Sequence, residues 1–383
     1  MIDVTKLLCN EAHEADHLRY GYKVSGERKP IVIWNCTRKC NLKCVHCYAS
    51  SEEKEYSGEL DTKEAKYFID DIARFGCPVI LFSGGEPLMR PDLFDLGHYA
   101  YSKGLRAVIS TNGTLIDKDA AKEIKKIGFT YVGISLDGIG SNNDKFRGKK
   151  GAFDDAIRGI ENCKSAGVKV GLRFTLNKLN QNDLENILDF LPEAKIPRCC
   201  IYHLVYSGRA KNMKKHALSS KESLKSVDLI FDKAKEFHNK NLGIELLTVD
   251  NHTDGVYLYL KLLKENPARA LEVYQLLKRN GGNNSGIAIS DVDNLGYVHA
   301  DQFWQHYSFG NVRERKFADI WMDTSDPLMA GLKDRKPLLK GKCGKCKFLD
   351  ICNGNFRVRA EAVFDDIWQE DPACYLTEEE VAK

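Results

Sequence analysis

Two groups of cysteines are the residues whose types and spacing predict chemistry in this sequence. The first group, Cys40, Cys44 and Cys47, is a Cys-x3-Cys-x2-Cys motif. The second group lies near the C-terminus and consists of Cys343, Cys346, Cys352 and Cys374. The chain has 13 cysteines, a count that in a reducing compartment indicates metal or redox chemistry rather than disulfides. Most of the remaining cysteines lie in or beside apolar runs, and we expect them to be small buried hydrophobic residues.

The first group predicts an iron–sulfur cluster with one iron left open. Three thiolates in a tight loop bind three irons of a cubane, so a small molecule can chelate the fourth. A zinc site is the alternative, but structural zinc prefers four closing ligands, and His46, which could supply the fourth, is adjacent to Cys47. Cys36, at the end of a predicted strand, would close the open iron if it were a ligand; we interpret it as a bystander thiol.

The second group supplies enough thiolates to saturate a [4Fe–4S] cluster. The predicted role of such a cluster is electron transfer or substrate anchoring rather than cleavage of a bound cofactor. Zinc also accepts four thiolates, so the spacing alone does not separate the two metals.

The first cysteine group follows the first of six predicted strands. The strands alternate with amphipathic helical segments and span residues 31–35, 79–83, 106–111, 131–136, 168–175 and 199–205. One helix is predicted between Asp61 as its N-cap and Gly76 as its end, and another over residues 152–166. Six successive βα units predict an α/β fold, a partial TIM-like (βα)6 barrel with functional residues at the C-terminal ends of its strands.

Composition and texture predict a cytoplasmic enzyme of four parts. These are an N-terminal segment (1–30), the core barrel (31–213), a mainly helical bridge (214–280) and a small C-terminal domain (281–383) rich in glycine, asparagine, aromatic residues and cysteine. The 57 basic and 54 acidic residues leave a net charge of +3, too small to predict binding to nucleic acid. Apolar runs fall short of the ~20 residues that a membrane helix needs, and the N-terminus lacks a secretory pattern.

The cysteine loop and the strand ends resemble the radical SAM superfamily, enzymes that cleave S-adenosylmethionine (SAM) with a [4Fe–4S] cluster. Residues 83–87, Ser-Gly-Gly-Glu-Pro, look like the family's GGEP motif, which holds the SAM amino group. Residues 111–113 and 135–138 end the next strands, where family members contact the SAM ribose. Arg147 and Arg173 are both candidates for the SAM carboxylate, with a surface salt bridge as the alternative role of each. The SAM site implied by the resemblance consists of His46, Gly84, Gly85, Glu86, Thr111, Asn112, Ser135, Arg147, Arg173 and Val205.

The second cysteine group resembles the auxiliary-cluster region of SPASM-type radical SAM enzymes, and this resemblance favours iron–sulfur over zinc. Full SPASM domains carry seven cysteines and two auxiliary clusters. Here Phe356 replaces the cysteine expected beyond Cys352, and the upstream pair is missing from the segment GNNSGIAISDVDNLGYVHAD. We therefore expect one auxiliary [4Fe–4S] cluster, hence two clusters in the chain, and an open pocket where the lost cluster would lie.

Residues 299–312, 352–362 and 370–376 are similar to the radical SAM enzymes that trim tetrapyrrole side chains, the AhbC/NirJ group. The resemblance implies removal of the two acetate side chains of 12,18-didecarboxysiroheme to give Fe-coproporphyrin III, on the siroheme-dependent heme biosynthesis route. The alternative within the group is removal of propionate side chains on the way to heme d1, and no residue in the sequence separates the two reactions.

Side chains suited to an iron tetrapyrrole occur in the C-terminal segments. The aromatic residues that would cover its face, with the domain core as their alternative place, are Phe303, Trp304, Tyr307 and Phe309. The arginines that would clamp its carboxylates, with a solvated surface as their alternative, are Arg313, Arg315, Arg357 and Arg359. His299 or His306 would ligate the substrate iron. The candidates for catalysis are His299, His306, Tyr307, Arg357 and Arg359.

The implied reaction needs a low-potential electron donor such as ferredoxin or flavodoxin. The Lys-rich run 333–347 is either a solvated face or a docking site for such a donor. One electron cleaves SAM to methionine and a 5′-deoxyadenosyl radical, which takes a hydrogen atom at or beside an acetate arm. Two other functions stay open: a SPASM-type peptide-modifying enzyme, disfavoured by the missing upstream cysteines, and a non-catalytic electron carrier, which would form no 5′-deoxyadenosine.

Overall fold

One sheet joins the parts of the chain that carry both cysteine groups. The computed structural model describes residues 1–21 and 28–382; residues 22–27 of the predicted N-terminal segment and residue 383 of the predicted C-terminal domain lie outside that part. The strands are β1 (Ile2–Asp3), β2 (Ile31–Thr37), β3 (Val79–Gly84), β4 (Arg106–Thr111), β5 (Tyr131–Ser135), β6 (Val170–Leu176), β7 (Arg198–His203), β8 (Glu245–Val249), β9 (Ile289–Val292) and β10 (Val298–His299).

The helices connect these strands and cover the C-terminal region. The α-helices are α1 (Val4–Cys9), α2 (Asp16–Tyr20), α3 (Thr62–Phe75), α4 (Leu93–Ser102), α5 (Lys118–Ile127), α6 (Ser141–Arg147), α7 (Ala152–Ser165), α8 (Leu184–Glu193), α9 (Ser220–Asn239), α10 (Thr253–Glu265), α11 (Pro267–Asn280), α12 (Phe317–Met322), α13 (Pro327–Lys333), α14 (Gly341–Gly344), α15 (Leu349–Cys352), α16 (Arg357–Phe364) and α17 (Glu378–Val381). The 3₁₀ helices are Pro87–Met89, Gln181–Asp183, Gly208–His216 and Lys336–Leu338. Among the described helices, none combines the length and apolar character needed to cross a membrane.

The strand order of the sheet is β1-β8-β7-β6-β5-β4-β3-β2-β9-β10. From β8 to β9 every neighbouring pair is parallel, whereas β1 and β10 pair antiparallel at the two ends. Parallel strands all end at the same edge of a sheet, so the loops after β2, β3, β4, β5 and β6 meet there. Most of the residues predicted to bind SAM lie near the C-terminal ends of these strands or in the loops that come after them.

The predicted α/β fold is confirmed, and the six predicted strands correspond to β2–β7 with end shifts of at most two residues. The number of parallel strands is larger than predicted, because β8 lies in the expected helical bridge and β9 in the expected C-terminal domain. The division of the chain into four parts stays a prediction, but the sheet takes strands from all four parts and so crosses all three of their boundaries. All five residues of β8 are buried. Sequence analysis missed this short strand because it lies between two long helices.

Helix α3 shows how local sequence signals fix the elements around the sheet. The Asp61 carboxylate accepts a hydrogen bond from the Glu64 amide at 2.8 Å, and the Glu64 carboxylate accepts one from the Asp61 amide at 2.9 Å. This capping box satisfies amides that the helix leaves unpaired. Gly76 ends the helix with φ +86°, a left-handed conformation that favours glycine. The predicted ends of α3 are confirmed.

Candidate active site

The loop that carries Cys40, Cys44 and Cys47 follows β2 and is fixed by its own backbone. The Cys40 amide donates to the Glu52 carbonyl at 3.1 Å. Arg209 binds the loop twice, because its amide donates to the Cys47 carbonyl at 2.9 Å and its Nε donates to the Cys44 carbonyl at 2.7 Å. These bonds hold the loop in place without using the thiol groups, which stay available as ligands.

The two glycines of the GGEP-like motif are required where β3 ends beneath the cysteine loop. A Cβ on Gly84, which has φ +126°, would lie 2.2 Å from the Thr37 carbonyl oxygen. A Cβ on Gly85 would lie 2.1 Å from the Lys39 carbonyl oxygen. Both distances are far below van der Waals contact, so a side chain at either position would displace the start of the cysteine loop.

Glu86 positions neighbouring residues of the site and does not face the cavity that they line. Its carboxylate is fully buried and accepts hydrogen bonds from Thr111 Oγ1 at 2.7 Å and from the Asn112 amide at 2.8 Å. A third bond comes from the Leu88 amide at 3.1 Å. In this structure the Glu86 side chain joins the end of β4 to the end of β3, and its contact with SAM stays a prediction.

Asp137, which follows β5, organises two other predicted SAM residues. Its Oδ2 lies 2.5 Å from Arg147 Nη2 and 3.1 Å from His46 Nε2, and its Oδ1 accepts from the Thr175 amide at 2.8 Å. Burial would raise the pKa of Asp137, but Arg147 and His46 outweigh burial and lower the pKa to about 2. The carboxylate therefore stays ionised and fixes the positions of both partners.

A cavity of about 160 Å³ gathers the cysteine loop and the strand ends. The predicted residues that line it are Cys40, Cys44, Cys47, His46, Gly84, Gly85, Thr111, Asn112, Ser135, Arg147, Arg173 and Val205. Residues separated by up to 165 positions in the sequence thus meet around one space. The brought-together set is the one that the resemblance implied, apart from Glu86.

The two arginines of this cavity differ in how their charge is balanced. Arg147 pairs with Asp137 and also donates from Nη1 to Cys44 Sγ at 3.6 Å. Arg173 stacks over the Tyr202 ring at 4.9 Å, and in residues 1–21 and 28–382 it has no carboxylate partner. Arg173 therefore gives the cavity an unbalanced positive charge, which an anionic group of a ligand would neutralise.

Cys36 lies apart from the cavity, inside the core. Its thiol is fully buried and donates to the Ser83 carbonyl at 3.3 Å. Burial raises the pKa of Cys36 to about 12, so this residue is a neutral thiol, in agreement with its interpretation as a bystander.

Known proteins are similar in sequence to this chain along its whole length. The sequence model of the radical SAM superfamily matches residues 34–191. Fe-coproporphyrin III synthase of Methanosarcina barkeri is 59% identical, with 100% of this chain and 99% of that protein covered. The chain belongs to the radical SAM superfamily. Pre-heme d1 synthase of Dinoroseobacter shibae is 40% identical, with 92% of this chain and 87% of that protein covered.

A solved structure agrees on the fold of this radical SAM enzyme. SuiB of Streptococcus suis, bound to its precursor peptide SuiA, superposes with a TM-score of 0.72 at 19% identity, covering 91% of this chain and 76% of that chain. Membership of the superfamily implies one [4Fe–4S] cluster and SAM. The residues fit both groups, because three thiols and an unbalanced guanidinium line one cavity.

A second and larger cavity of about 700 Å³ adjoins the first, and Tyr48 and Gly84 line both. Three of the predicted catalytic candidates line the larger cavity: His299, His306 and Tyr307. Its volume falls within the ~300–1,000 Å³ typical of small-molecule sites. A second space of ligand size therefore lies directly beside the cavity at the cysteine loop.

The four arginines predicted to clamp substrate carboxylates lie elsewhere and have internal partners. Arg359 is fully buried and pairs with Asp371 at 2.8 Å. Arg357 is also buried and donates to the Ile367 carbonyl at 3.1 Å and to other backbone carbonyls. The two that pair with carboxylates at the protein surface are Arg313, which contacts Glu64, and Arg315, which contacts Asp323. The carboxylates and carbonyls of the protein already occupy these arginines, so the structure does not support the prediction that they bind substrate.

The space expected from the lost auxiliary cluster is filled rather than open. Phe356 is 5% exposed and packs edge-on against Phe303, with ring centroids 5.6 Å apart. Trp304, Val358 and other apolar residues complete this small core. Of the four predicted aromatic residues, Tyr307 lines the larger cavity and Phe303 lines the smaller one, whereas Trp304 and Phe309 pack into the protein.

Two cations that sequence analysis missed line the larger cavity: Arg38 and Lys211. Arg38 lies just before the cysteine motif, and its guanidinium stacks over the Tyr56 ring at 5.1 Å. In the part of the chain that the structure describes, neither cation forms an ion pair. The position of Arg38 two residues before Cys40 was the available signal, whereas Lys211 follows β7 without any motif.

The four C-terminal cysteines lie on short helices and loops of the C-terminal region, and their common role as cluster ligands stays a prediction. Cys343 belongs to α14 and Cys352 ends α15, while Cys346 and Cys374 lie in the neighbouring loops. Burial raises the pKa of the Cys352 thiol, and the nearby Cys343, Cys374 and Cys346 raise it further. The other three thiols therefore lie near enough to Cys352 to influence its pKa.

Asp291 is buried behind the larger cavity, and from its carboxyl group we predict how the free energy of unfolding depends on pH. Asn35 Nδ2 donates to both of its carboxylate oxygens, at 3.0 and 3.1 Å, and Gln305 Nε2 donates to Oδ2 at 3.0 Å. Burial raises the pKa of Asp291 from 3.8 to about 8. Between these values the folded protein keeps a proton that the unfolded chain has lost, so stability falls as pH rises, by at most ~1.4 kcal/mol per pH unit.

We expect Asp291→Asn to remove this contribution. In urea denaturation, the variant should gain free energy of unfolding over the wild type as pH rises from about 4 to about 8. The exposed Asp232→Asn serves as the control and should follow the wild type. A pH slope identical in Asp291→Asn and the wild type would show that Asp291 is already ionised in the folded protein.

Proposed function

We propose that this radical SAM enzyme removes the two acetate side chains of 12,18-didecarboxysiroheme to give Fe-coproporphyrin III. The observation that carries the proposal is the pair of adjoining cavities, the smaller at the cysteine loop and the larger, of about 700 Å³, beside it. The 59% identity to a protein named Fe-coproporphyrin III synthase, over the full chain, supports the choice of substrate.

The larger cavity suits a flat molecule that carries carboxylates. Arg38 and Lys211 provide positive charge, and Arg38 is held in place by the Tyr56 ring. We assign these two cations to substrate carboxylates, in the role first predicted for other arginines. Stacking leaves the donor edge of a guanidinium open, which is the edge that pairs with a carboxylate.

Tyr48 lies where the two cavities meet, and its position is fixed. Its hydroxyl donates to Asn35 Oδ1 at 2.9 Å and contacts Ser83 Oγ at 3.2 Å, while its ring packs against Phe303 at 5.5 Å. When bound, the cluster and SAM supply one-electron cleavage of SAM and removal of a hydrogen atom. The chain contributes placement, because the reacting carbon must lie within ~3–4 Å of its partner, and we assign part of that placement to Tyr48.

For SAM itself we propose the smaller cavity, with its carboxylate beside Arg147 and Arg173. Ser135, Thr111 and Asn112 offer polar contacts from neighbouring strand ends. Asp137 stabilises this arrangement by holding Arg147. A carboxylate between two guanidinium groups, only one of which is otherwise paired, would complete the charge balance of the cavity.

We also propose that the C-terminal cysteines bind a second [4Fe–4S] cluster. A zinc ion with ~2.3 Å bonds holds tetrahedral sulfur ligands ~3.8 Å apart. Among the described residues, however, no three cysteine Sγ atoms lie within 4.8 Å of one another. This wider spacing favours a cubane, which spreads its ligands over four separate irons.

A basic groove of about 820 Å³ beside the second cluster site is our proposed docking site for a ferredoxin or flavodoxin. Lys278, Lys333 and Lys336 line it, together with Asn353, the residue after Cys352. Acidic electron carriers are attracted to such a surface. The proposed docking site for the electron donor is therefore smaller than the run 333–347. It consists of Lys333 and Lys336 from that run and Lys278 from α11.

Anaerobic turnover with SAM, a low-potential reductant and 12,18-didecarboxysiroheme tests the function. Mass spectrometry should detect loss of two acetate groups, together with 5′-deoxyadenosine. Formation of 5′-deoxyadenosine without any change in the tetrapyrrole would contradict the proposed substrate. No 5′-deoxyadenosine under any condition would leave a plain electron carrier as the better description.

Removal of propionate side chains is the second candidate, supported by the 40% identity to pre-heme d1 synthase. The same products distinguish the two reactions, because acetate and propionate losses differ in mass. The peptide-modifying alternative has its support in the SuiB fold at 19% identity, which concerns the fold alone. It would be favoured if a peptide, and no tetrapyrrole, promoted 5′-deoxyadenosine formation.

A further inference from the structure

His306 is the one of the two predicted iron-ligand candidates whose imidazole reaches the larger cavity. Its side chain is 42% exposed and lines the cavity. His299 also lines the cavity, but its side chain is only 3% exposed. His299 Nδ1 contacts the Tyr307 carbonyl at 2.7 Å, and its Nε2 is buried. An iron in the cavity could approach the ring of His306 but neither ring nitrogen of His299.

Two neighbours fix the orientation of the His306 ring. Its Nε2 lies 2.9 Å from one Glu361 carboxylate oxygen and 3.1 Å from the other. The ring also stacks on Trp304, with centroids 5.7 Å apart and an interplanar angle of 19°. Trp304 is buried in a small core, and Glu361 belongs to α16, which the buried Arg359–Asp371 pair anchors. The ring is therefore held from one edge and one face.

The hydrogen bond to Glu361 also decides which nitrogen is available. A carboxylate accepts, so Nε2 is the nitrogen that donates, and Nδ1 is the nitrogen that the neutral ring would offer to a metal. In the part of the chain that the structure describes, Nδ1 of His306 has no hydrogen-bond partner. A carboxylate behind a histidine is the arrangement that orients imidazole ligands and strengthens their bond to a metal.

The geometry points to His306 Nδ1 as an axial ligand of the iron in the tetrapyrrole substrate, with Glu361 as its positioning residue. This inference rests on the proposed function, since it takes an iron tetrapyrrole as the occupant of the larger cavity. It assigns to one side chain the task of holding the macrocycle by its centre.

A ligand on the iron has a specific use when two acetate arms must react at one radical source. The iron is the point of the macrocycle that stays in place when the ring turns in its own plane. One axial bond can therefore hold the macrocycle at a constant height while either arm is brought to the reacting position. Contacts to the carboxylates alone would have to be rebuilt for the second arm.

Anaerobic binding of two probes, Fe-coproporphyrin III and metal-free coproporphyrin III, tests the assignment. We expect the wild type to bind both and to give the iron probe the optical and EPR spectrum of an imidazole-ligated iron. His306→Ala should lose that spectrum and bind the iron probe about 10–100-fold more weakly. The affinity for the metal-free probe should stay unchanged, and added imidazole should restore the spectrum.

Two variants serve as controls. The exposed His98→Ala lies outside both cavities and should behave as the wild type, while Glu361→Gln should keep the axial ligand but shift the spectrum of the bound iron. An imidazole-ligated spectrum that persists in His306→Ala, or equal weakening of both probes, overturns the assignment and leaves the proposed function intact. A wild type that binds neither probe and releases no acetate overturns both.

Discussion

Cys44→Ala is expected to abolish 5′-deoxyadenosine formation and to lower the iron content from about eight to about four atoms per chain. The remaining thiols of the loop, Cys40 and Cys47, cannot hold a cubane whose fourth iron must stay open. Arg147, which donates to Cys44 Sγ, would also lose a partner at the cavity. The measurements are iron and sulfide analysis of the reconstituted protein and chromatography of SAM cleavage products.

Cys36→Ala is the matched control for this experiment. Its thiol is buried behind β3 and bonds to the Ser83 carbonyl, so the variant should keep both clusters and its cleavage activity. Loss of the N-terminal cluster in Cys36→Ala would mean that the open iron is capped by a fourth side chain. In that event the radical chemistry, and the tetrapyrrole function with it, would have to be abandoned.

Arg359→Ala is expected to lower the free energy of unfolding by about 3–5 kcal/mol, because it leaves Asp371 as an unpaired buried charge. Both side chains have no exposed surface. Asp371 also accepts hydrogen bonds from the amides of Phe356 and Ala373, so the pair joins α16 to the segment that carries Cys374. Urea denaturation, followed by the circular dichroism of the helices, measures the loss.

The exposed Arg315→Ala provides the comparison for Arg359→Ala, and its stability should differ little from that of the wild type. Neither substitution should change the affinity for a tetrapyrrole under conditions in which the protein stays folded. A variant Arg359→Ala of normal stability that binds the tetrapyrrole more weakly would restore the original prediction that Arg359 clamps substrate carboxylates.

The packing of Phe356 is a further feature of the C-terminal region. Where a cysteine of a complete SPASM domain is replaced, Phe356 packs against Phe303 and fills the space. An apolar core therefore occupies this space, and Phe303 connects it to Tyr48, which lines both cavities. The loop that presents His306 rests on this core through Trp304.

How much the sequence predicted depended on whether the signal was local. The strands β2–β7 and helix α3 were predicted because period, caps and glycines act within a few residues. β8 was missed, since its five buried residues stand between long helices and acquire their strand identity only by pairing with β7 and β1. The residues predicted to bind SAM came from a resemblance to a family whose motifs lie at strand ends, and all of them except Glu86 line one cavity.

For the residues proposed to bind the substrate, sequence analysis named arginines, but the arginine that lines the larger cavity is at another position. Arginine was expected to bind the carboxylates of the substrate, yet Arg357 and Arg359 bind groups of the protein itself. Arg38, two residues before the cysteine motif, lines the larger cavity instead. A side chain's choice between an internal and an external partner depends on which groups the fold brings near it, and no spacing in the sequence records that.

The sequence by itself determined that three thiols would share a loop after the first parallel strand and that four more would be available near the C-terminus. It also determined the family, because these motifs recur at the ends of successive strands. Only the tertiary structure decided that Glu86 supports the site from behind, that Phe356 fills a former cluster space, and that His306 rather than His299 faces the larger cavity. The reason is that ligand spacing is a property of one loop, whereas exposure and partner choice are set by contacts between residues far apart in the chain.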